Sequence, residues 1–251
     1  MNFQSHTVLI TGGASGIGLS LAEAFLQHGS RVVICGRDPQ KLALAVQRFP
    51  ALHAFECDVS SETALVRMKD KLLAQGIRPT LLINNAALQV HTDFLRTHPP
   101  EGFFALEQEV ATNFTGLVKL THLMLPILQE APEAAIVNVT SGLAFVPKKT
   151  APVYCATKAA VHAFSVALRY QLQDAGKRIQ LMEAVLPLVD TPMTSGRGNA
   201  RLKVSPESVA KRIIKGLSHN EQEVHVGGAR LLLLLHRFVP ALAQKIMRNG
   251  L

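Results

Sequence analysis

Apolar residues fall along this chain in two alternating modes. One is the short unbroken run: Thr7 to Ile10, Arg31 to Cys35, His53 to Cys57, Thr80 to Ile83, Ala134 to Thr140 and Arg178 to Val185. Runs this short, rich in Val, Ile and Leu, predict parallel strands covered on both faces. Between them apolar positions return every three or four residues, the pattern of an amphipathic helix. Such segments run from Leu19 to Leu26, after Asp38, from Leu65 to Leu73, from Phe103 to Leu128 with a break near Gly116, from Pro152 to about Asp174, and from Ser208 to Leu217. Capping signals agree with these boundaries. Asp38-Pro39 and Ser205-Pro206 open helices, Ser60 or Ser61 opens another, and Gly29 stops the first. Six strand–helix repeats in succession, closed by a short strand at Glu223 to Gly227, predict an α/β fold.

Residues with chemical potential cluster where the strands end. After the first strand comes Thr11-Gly12-Gly13-Ala14-Ser15-Gly16-Ile17-Gly18, and a helix follows. Strand, glycine loop and helix together place an anion at a helix N-terminus, where amides point outward and glycines let a phosphate come close. The spacing is G-x-x-x-G-x-G rather than G-x-G-x-x-G, and a purely structural turn is the plain alternative. The architecture expected is a single Rossmann-type doubly wound parallel sheet in three layers, α/β/α, over residues 1–228. The second strand ends at Cys35-Gly36-Arg37, with no acidic side chain to hold a ribose 2′-hydroxyl. Arg37 offers charge to a 2′-phosphate instead, which favours NADP(H) over NAD(H); otherwise it is a solvated surface arginine. The remaining strands end at Asp58-Val59, Asn84-Asn85-Ala86-Ala87, Ser141-Gly142 and Leu186 to Pro192.

Tyr154 and Lys158 lie four apart in Tyr154-Cys155-Ala156-Thr157-Lys158, on one face of a helix that Pro152 opens. Lowering a phenol from about 10 to about 7 takes about 4 kcal/mol. One ammonium about 5 Å away supplies roughly 3 kcal/mol at an effective dielectric of about 20. The pair can therefore act as an acid/base near neutral pH, although the same spacing is commonly a packed ring beside a solvated amine. Asn113, in the middle of a helix where an amide is unfavourable, is either exposed or turned inward to the site.

These motifs, in this order, resemble the short-chain dehydrogenase/reductases over roughly residues 5 to 227. The family's Thr-Gly-x-x-x-Gly-x-Gly is matched by Thr11, Gly12, Gly16 and Gly18, and its Asn-Asn-Ala-Gly by Asn84-Asn85-Ala86 with Ala87 replacing the glycine. Its catalytic Asn, Ser and Tyr-x-x-x-Lys look like Asn113, Ser141, Tyr154 and Lys158. One departure is Pro187-Leu188 where the family has Pro-Gly, with Thr191 one residue early. Within the family, Ser141 to Pro147, Val153 to Lys158 and Leu186 to Pro192 are similar to the branch named after the D-alanylation of teichoic acids. The resemblance implies hydride transfer between a nicotinamide and a carbonyl or alcohol substrate. In it Tyr154 is the proton donor, Ser141 an oxyanion donor, Lys158 the tuner of Tyr154 that also binds ribose, and Asn113 the holder of a water linking Lys158 to solvent. Gly12, Ala14, Ser15, Gly16, Ile17 and Gly18 would cradle the pyrophosphate, Arg37 the 2′-phosphate, and Asp58 and Val59 the adenine. Asn85, Ala86 and Ala87 would line the cleft, and Pro187, Val189 and Thr191 would adjoin the carboxamide. Homo-dimers or homo-tetramers are usual in such a family. A sensor or scaffold that binds NADP(H) without turnover is the alternative reading.

Composition trims the list. The chain has 251 residues, 48% of them hydrophobic and 18% charged, enough for one large domain with a substantial core. Three cysteines without ligand spacing, and ten scattered histidines, predict no metal site and a reducing cytoplasm. No signal-peptide pattern precedes the first strand. The net charge of +8 leaves nucleic acid open, but no stacking platform supports it: there is no Trp and there are two Tyr. The tail, 229–251, carries five consecutive leucines, Leu231 to Leu235, among basic residues. A turn of helix that is apolar all round cannot be buried by one stripe. A C-terminal helix packed on the domain or at a subunit interface is one expectation, and a basic segment on a membrane surface, peripheral to the cytoplasm, is the other. Met193 to Val204 reads as a mobile, basic lid, and Leu88 to Pro100 as a loop shaping the same mouth.

Overall fold

The computed structural model describes residues 1–96, 100 and 102–250. Seven strands form one parallel sheet: β1 (Thr7–Thr11), β2 (Arg31–Gly36), β3 (His53–Glu56), β4 (Leu81–Asn84), β5 (Ala134–Ser141), β6 (Ile179–Leu186) and β7 (Glu223–His225), in the order β3-β2-β1-β4-β5-β6-β7. The chain reverses direction across the sheet between β1 and β4, and a crevice opens there beyond the strands' carboxyl ends. Helices cover both faces: α1 (Gly16–Gln27), α2 (Pro39–Arg48), α3 (Glu62–Ala74), α4 (Phe103–Val110), α5 (Gly116–Glu130), α6 (Pro152–Asp174), α7 (Pro206–Ser218), α8 (Ala229–Phe238) and α9 (Pro240–Met247).

The strand runs are buried because successive side chains enter opposite layers. Val8 and Ile10 join Leu21, Phe25, Ala210 and Ile213 on one face, while Leu9 and Val33 join Leu65, Leu120, Leu168 and Leu172 on the other. The caps sit where expected: Asp38 accepts from the Gln40 and Lys41 amides, Ser61 from Ala64 N and Ser205 from Ser208 N. One polar row interrupts the second layer. Asn84, Asn138 and Glu183 are register partners across β4, β5 and β6. Their side chains reach α5 and α6, at Thr121 Oγ1 (3.0 Å), Ser165 Oγ (2.8 Å) and His162 Nδ1 (2.8 Å), while Asn84 Oδ1 has no partner among the described residues.

The expected break near Gly116 is present as a distorted turn that ends on it. Residues Ala111–Thr115 form a single π turn, with Asn113 at its centre. Gly116 has another reason to be glycine: a Cβ there would stand 2.3 Å from the carbonyl oxygen of Val59. The expected loop of 91–100 is described to Arg96 and again at Pro100. Thr97, His98 and Pro99 lie outside the described residues, as do Glu101 and Leu251.

The tail packs on the domain along one side only. Leu232 and Leu235 of α8, with Ala243 and Met247 of α9, cluster with Leu143, Phe145 and Val146 of the segment after β5. A Cβ on Gly142 would lie 3.1 Å from Leu232 Cδ2, and Lys149 N donates to Arg248 O at 3.0 Å. Leu231, Leu234, Phe238, Val239, Leu242 and Ile246 remain exposed.

Candidate active site

The crevice at the reversal point is built on one hydroxyl. Thr11 Oγ1, buried at the end of β1, accepts from Asn85 N and Ala86 N, each at 3.0 Å, and donates to Ile83 O. Asn85 Nδ2 in return donates to Thr11 O at 2.9 Å and Gly12 O at 3.3 Å. The glycine turn and the end of β4 are thereby held as one unit. Gly12 and Gly16 adopt φ of +63° and +51°, a region that favours glycine. A Cβ on Gly18 would meet Gly12 O at 2.1 Å, so Gly18 serves the close packing of α1 on the turn. Gly12 N and Gly13 N are already spent on Cys35 O. The N-terminus of α1, in contrast, has no side-chain cap. Its first-turn amides are the donors available to an anion, and the residues present fit a phosphate-bearing ligand.

The cleft beyond this turn has a volume of ≈ 210 Å³. Gly12, Ser15, Gly16, Ile17, Asn85, Ala86, Ala87, Ser141, Tyr154, Lys158, Pro187, Val189 and Thr191 all line it. Thr191 closes it against the glycine turn, since a Cβ on Gly16 would lie 3.1 Å from Thr191 Cγ2. Despite Pro187-Leu188, the path after β6 is ordered by a parallel bridge from Val189 to Val204. Ala14, Gly18, Arg37, Asp58, Val59 and Asn113 do not line the cleft. Arg37 is exposed just past β2. Asp58 turns one carboxylate oxygen onto Ser60 N and Oγ at 2.9 and 2.7 Å, and Val59 is buried.

Asn113 is turned inward, but its side chain is fully used. Oδ1 accepts from Leu88 N at 2.7 Å, and Nδ2 donates to Leu88 O at 2.8 Å and to Thr157 Oγ1 at 3.2 Å. The carboxamide therefore clamps the segment after β4 to α6 and has no donor left for a water.

The simple Coulomb picture of Tyr154 and Lys158 also needs correction. Lys158 Nζ is buried, donates to Val139 O at 2.8 Å, and stands 5.7 Å from the centre of the Tyr154 ring. Burial pushes its pKa down to about 8, against an opposing pull from Glu183. Burial pushes the Tyr154 phenol up, helped by Cys155 and Glu109, while a hydrogen bond from Ser141 pulls it down. Desolvation penalises both charged forms, which arithmetic on the attraction alone omits.

Two carboxylates escaped the sequence reading. Glu183, 1% exposed, receives Thr140 Oγ1 at 2.6 Å and faces His162. Glu109 is fully buried, with Oε1 accepting from Val90 N at 2.9 Å and Oε2 without a protein partner among the described residues; burial raises its pKa. A lone carboxylate inside the apolar run Ile179–Leu186 was the available signal for Glu183. Among the described residues no group of three or more His, Cys, Asp or Glu is placed to hold a metal.

A glycine turn and a cleft at the reversal point of a parallel sheet, lined by a Ser, a Tyr and a Lys, define a dinucleotide-binding class of fold. The family model described as short chain dehydrogenase matches residues 6–201, and the chain belongs to that family. The resemblance to the teichoic-acid branch holds as well. The chain is 40% identical over 228 residues to the uncharacterized oxidoreductase DltE of Bacillus subtilis (strain 168), covering 89% of each. A solved short chain dehydrogenase from Burkholderia cenocepacia J2315, in complex with NADP, is similar with a TM-score of 0.85 and 26% identity, covering 99% of this chain and 100% of that one. Another from Burkholderia phymatum, in complex with NAD, shares the fold with a TM-score of 0.85 at 21% identity, covering 100% and 98%.

Proposed function

We propose that this chain is an NADP(H)-dependent oxidoreductase acting on a carbonyl or alcohol carbon, with Tyr154 as general acid/base. The observation that carries the reading is the convergence of Ser141, Tyr154 and Lys158 on the cleft that the glycine turn also lines. The nicotinamide, when bound, supplies or accepts the hydride. A phenol held above its ordinary pKa stays protonated at neutral pH, so Tyr154 donates to the carbonyl oxygen in the reductive direction. Ser141 steadies the same oxygen. One N–H of Lys158 is anchored on Val139 O, and two remain for ribose hydroxyls. Asn113 is a positioning residue, fixing the segment at Leu88 to the helix that carries Tyr154 and Lys158.

For the cofactor, we assign the pyrophosphate to the main chain of Ala14, Ser15, Gly16 and Ile17, with Gly12 allowing the approach and Gly18 the close packing of α1 behind it. Arg37 meets the 2′-phosphate, Asp58 and Val59 the adenine, Asn85, Ala86 and Ala87 the cleft wall, and Pro187, Val189 and Thr191 the carboxamide. The enzyme works in the cytoplasm as a homo-dimer or homo-tetramer.

NADPH oxidation against a panel of aldehydes and ketones tests the reading. Wild type turns over at least one class, and Tyr154→Phe loses activity by about a thousandfold while keeping its NADPH affinity. Tight NADPH binding with no turnover on any carbonyl would instead favour the sensor reading.

The tail, we infer, rests on an anionic membrane surface. Leu231, Leu234 and Phe238 form one exposed apolar stripe, and Val239, Leu242 and Ile246 another. Arg230, Arg237, Lys245 and Arg248 flank them, and no carboxylate occurs from Ala229 to Gly250. A twofold contact would set this basic face against itself, whereas anionic lipid neutralises it.

A further inference from the structure

Three segments meet beyond the cleft wall; two bring a cation, Lys148 and Arg197, and the third brings His91. From Ala87, on the cleft wall, the chain runs outward to Gln89 and His91. From Thr194, also on the wall, it runs to Arg197. Lys148 sits on the loop that leads into the helix of Tyr154. Hydrogen bonds draw the three together. Arg197 Nη1 donates to Gln89 Oε1 at 2.8 Å, Thr92 N to Thr150 O at 3.3 Å, and Cys155, next to Tyr154, lies with Sγ 4.0 Å from Lys148 O.

The three side chains feel one another. Burial lowers the pKa of His91, and Arg197 and Lys148 lower it further. Lys148, half-buried, is lowered by burial and by Arg197, with Cys155 opposing. The nearby carboxylates are committed elsewhere: Asp190 pairs with Lys203, and Asp93 with Arg96. Glu109 faces Tyr154 and Cys155 from α4, and burial holds its carboxyl toward the neutral form. Among the described residues, no carboxylate lies within ion-pair range of His91, Lys148 or Arg197. A fold that holds Lys148 and Arg197 together against their repulsion, on segments that continue from the cleft wall and into the helix of Tyr154, is organised to receive the opposite charge.

We propose that Lys148 and Arg197, with His91, form a subsite for an anionic group on the substrate, so that the enzyme prefers carbonyl compounds bearing a carboxylate or phosphate some way from the reacting carbon. The inference rests on the oxidoreductase reading above and narrows its substrate class. Arg197 offers a planar fork suited to a carboxylate or phosphate. Its place on the segment 193–204 lets the anion draw that segment over the cleft.

The test uses keto acids of increasing chain length, each paired with its methyl ester, and keto alcohols paired with their phosphate esters. Wild type is expected to show a kcat/KM about tenfold or more higher for the anionic member of a pair at the chain length that spans the rim. In Arg197→Gln and in Lys148→Gln this preference falls toward unity, mainly through KM. The carboxylate and phosphate arms show which anion the site takes. A second readout needs no turnover: calorimetric binding of the same anionic compounds to the NADP⁺-loaded protein, which has no hydride to transfer, weakened about tenfold in Arg197→Gln. If no carbonyl is reduced but this binding and its loss are seen, the oxidoreductase reading fails and the anion subsite stands. Equal kcat/KM for anionic and neutral partners at every chain length overturns the proposal. So does an acid-to-ester ratio, or an anion affinity, unchanged in both variants.

Discussion

Residue by residue, the site is governed by burial more than by pairing. Lys158 is the sharpest case, because its pKa falls from an ordinary 10.5 to about 8 on folding. Between those two values the unfolded chain holds one proton more than the folded chain, so stability rises with pH across that window. Below pH 8 the buried ammonium costs about 3 kcal/mol. We therefore expect Lys158→Met to melt higher than wild type at pH 7, with the gap closing toward pH 10, and to be inactive. A Tm series over that range checks it, and a gap that grows with pH would contradict the account. Arg37 makes the opposite kind of prediction. It is exposed and close to the end of β2, so Arg37→Ala should leave stability alone. NADPH affinity should drop about tenfold or more, from the loss of a charge-assisted contact, while NADH affinity stays within about twofold. Fluorescence titrations of both cofactors read the difference, and equal losses would sink the 2′-phosphate assignment.

At the scale of elements, the strands and most helices were legible because their signals are local. Alternation of short apolar runs with helical stripes, and caps such as Asp38-Pro39, depend on neighbours in sequence. What was not legible depends on partners far along the chain. The π turn at Ala111–Thr115 centres on an asparagine whose partners, Leu88 and Thr157, lie 25 and 44 residues away. Gly116 marks the end of that turn, as its sequence position suggested, and is also a contact point for Val59, which the sequence did not show. Gly116→Ala gains helix propensity of about 1 kcal/mol but drives a Cβ into a main-chain carbonyl. A net loss of about 2 kcal/mol is expected, measured by urea unfolding; a stabilised variant would refute the close approach. The site was legible in its residue types and in their common place at strand ends. Its energetics were not, since the desolvation of Tyr154 and Lys158 and the carboxylates of Glu109 and Glu183 exist only once the layers close.

For the whole molecule, the net charge of +8 gains a location. Part of it gathers on the tail, where basic residues border an unburied apolar face, and part at the rim of the cleft. Among the described residues no helix is long and apolar enough to cross a membrane, so the tail reading is one of surface contact. Wild type is expected to co-sediment with vesicles containing phosphatidylglycerol and not with pure phosphatidylcholine, and to be released by salt. Phe238→Glu and Leu231→Glu, both at exposed positions, should stay in the supernatant while remaining folded. Wild type left in the supernatant with both vesicles would overturn that reading, as would a change of oligomeric state in the variants.

The contact between Leu232 and Gly142 has a consequence for how such a protein can vary. Gly142 follows Ser141 directly, and the far side of that short segment is packed by the tail. The last two helices are therefore not a detachable module. A chimera that exchanges 229–250 for the equivalent piece of a relative would disturb the floor beneath Ser141, and would recover activity only if the segment from Gly142 to Val146 travelled with it. Drift in one of these regions constrains drift in the other, although more than eighty residues separate them in the chain.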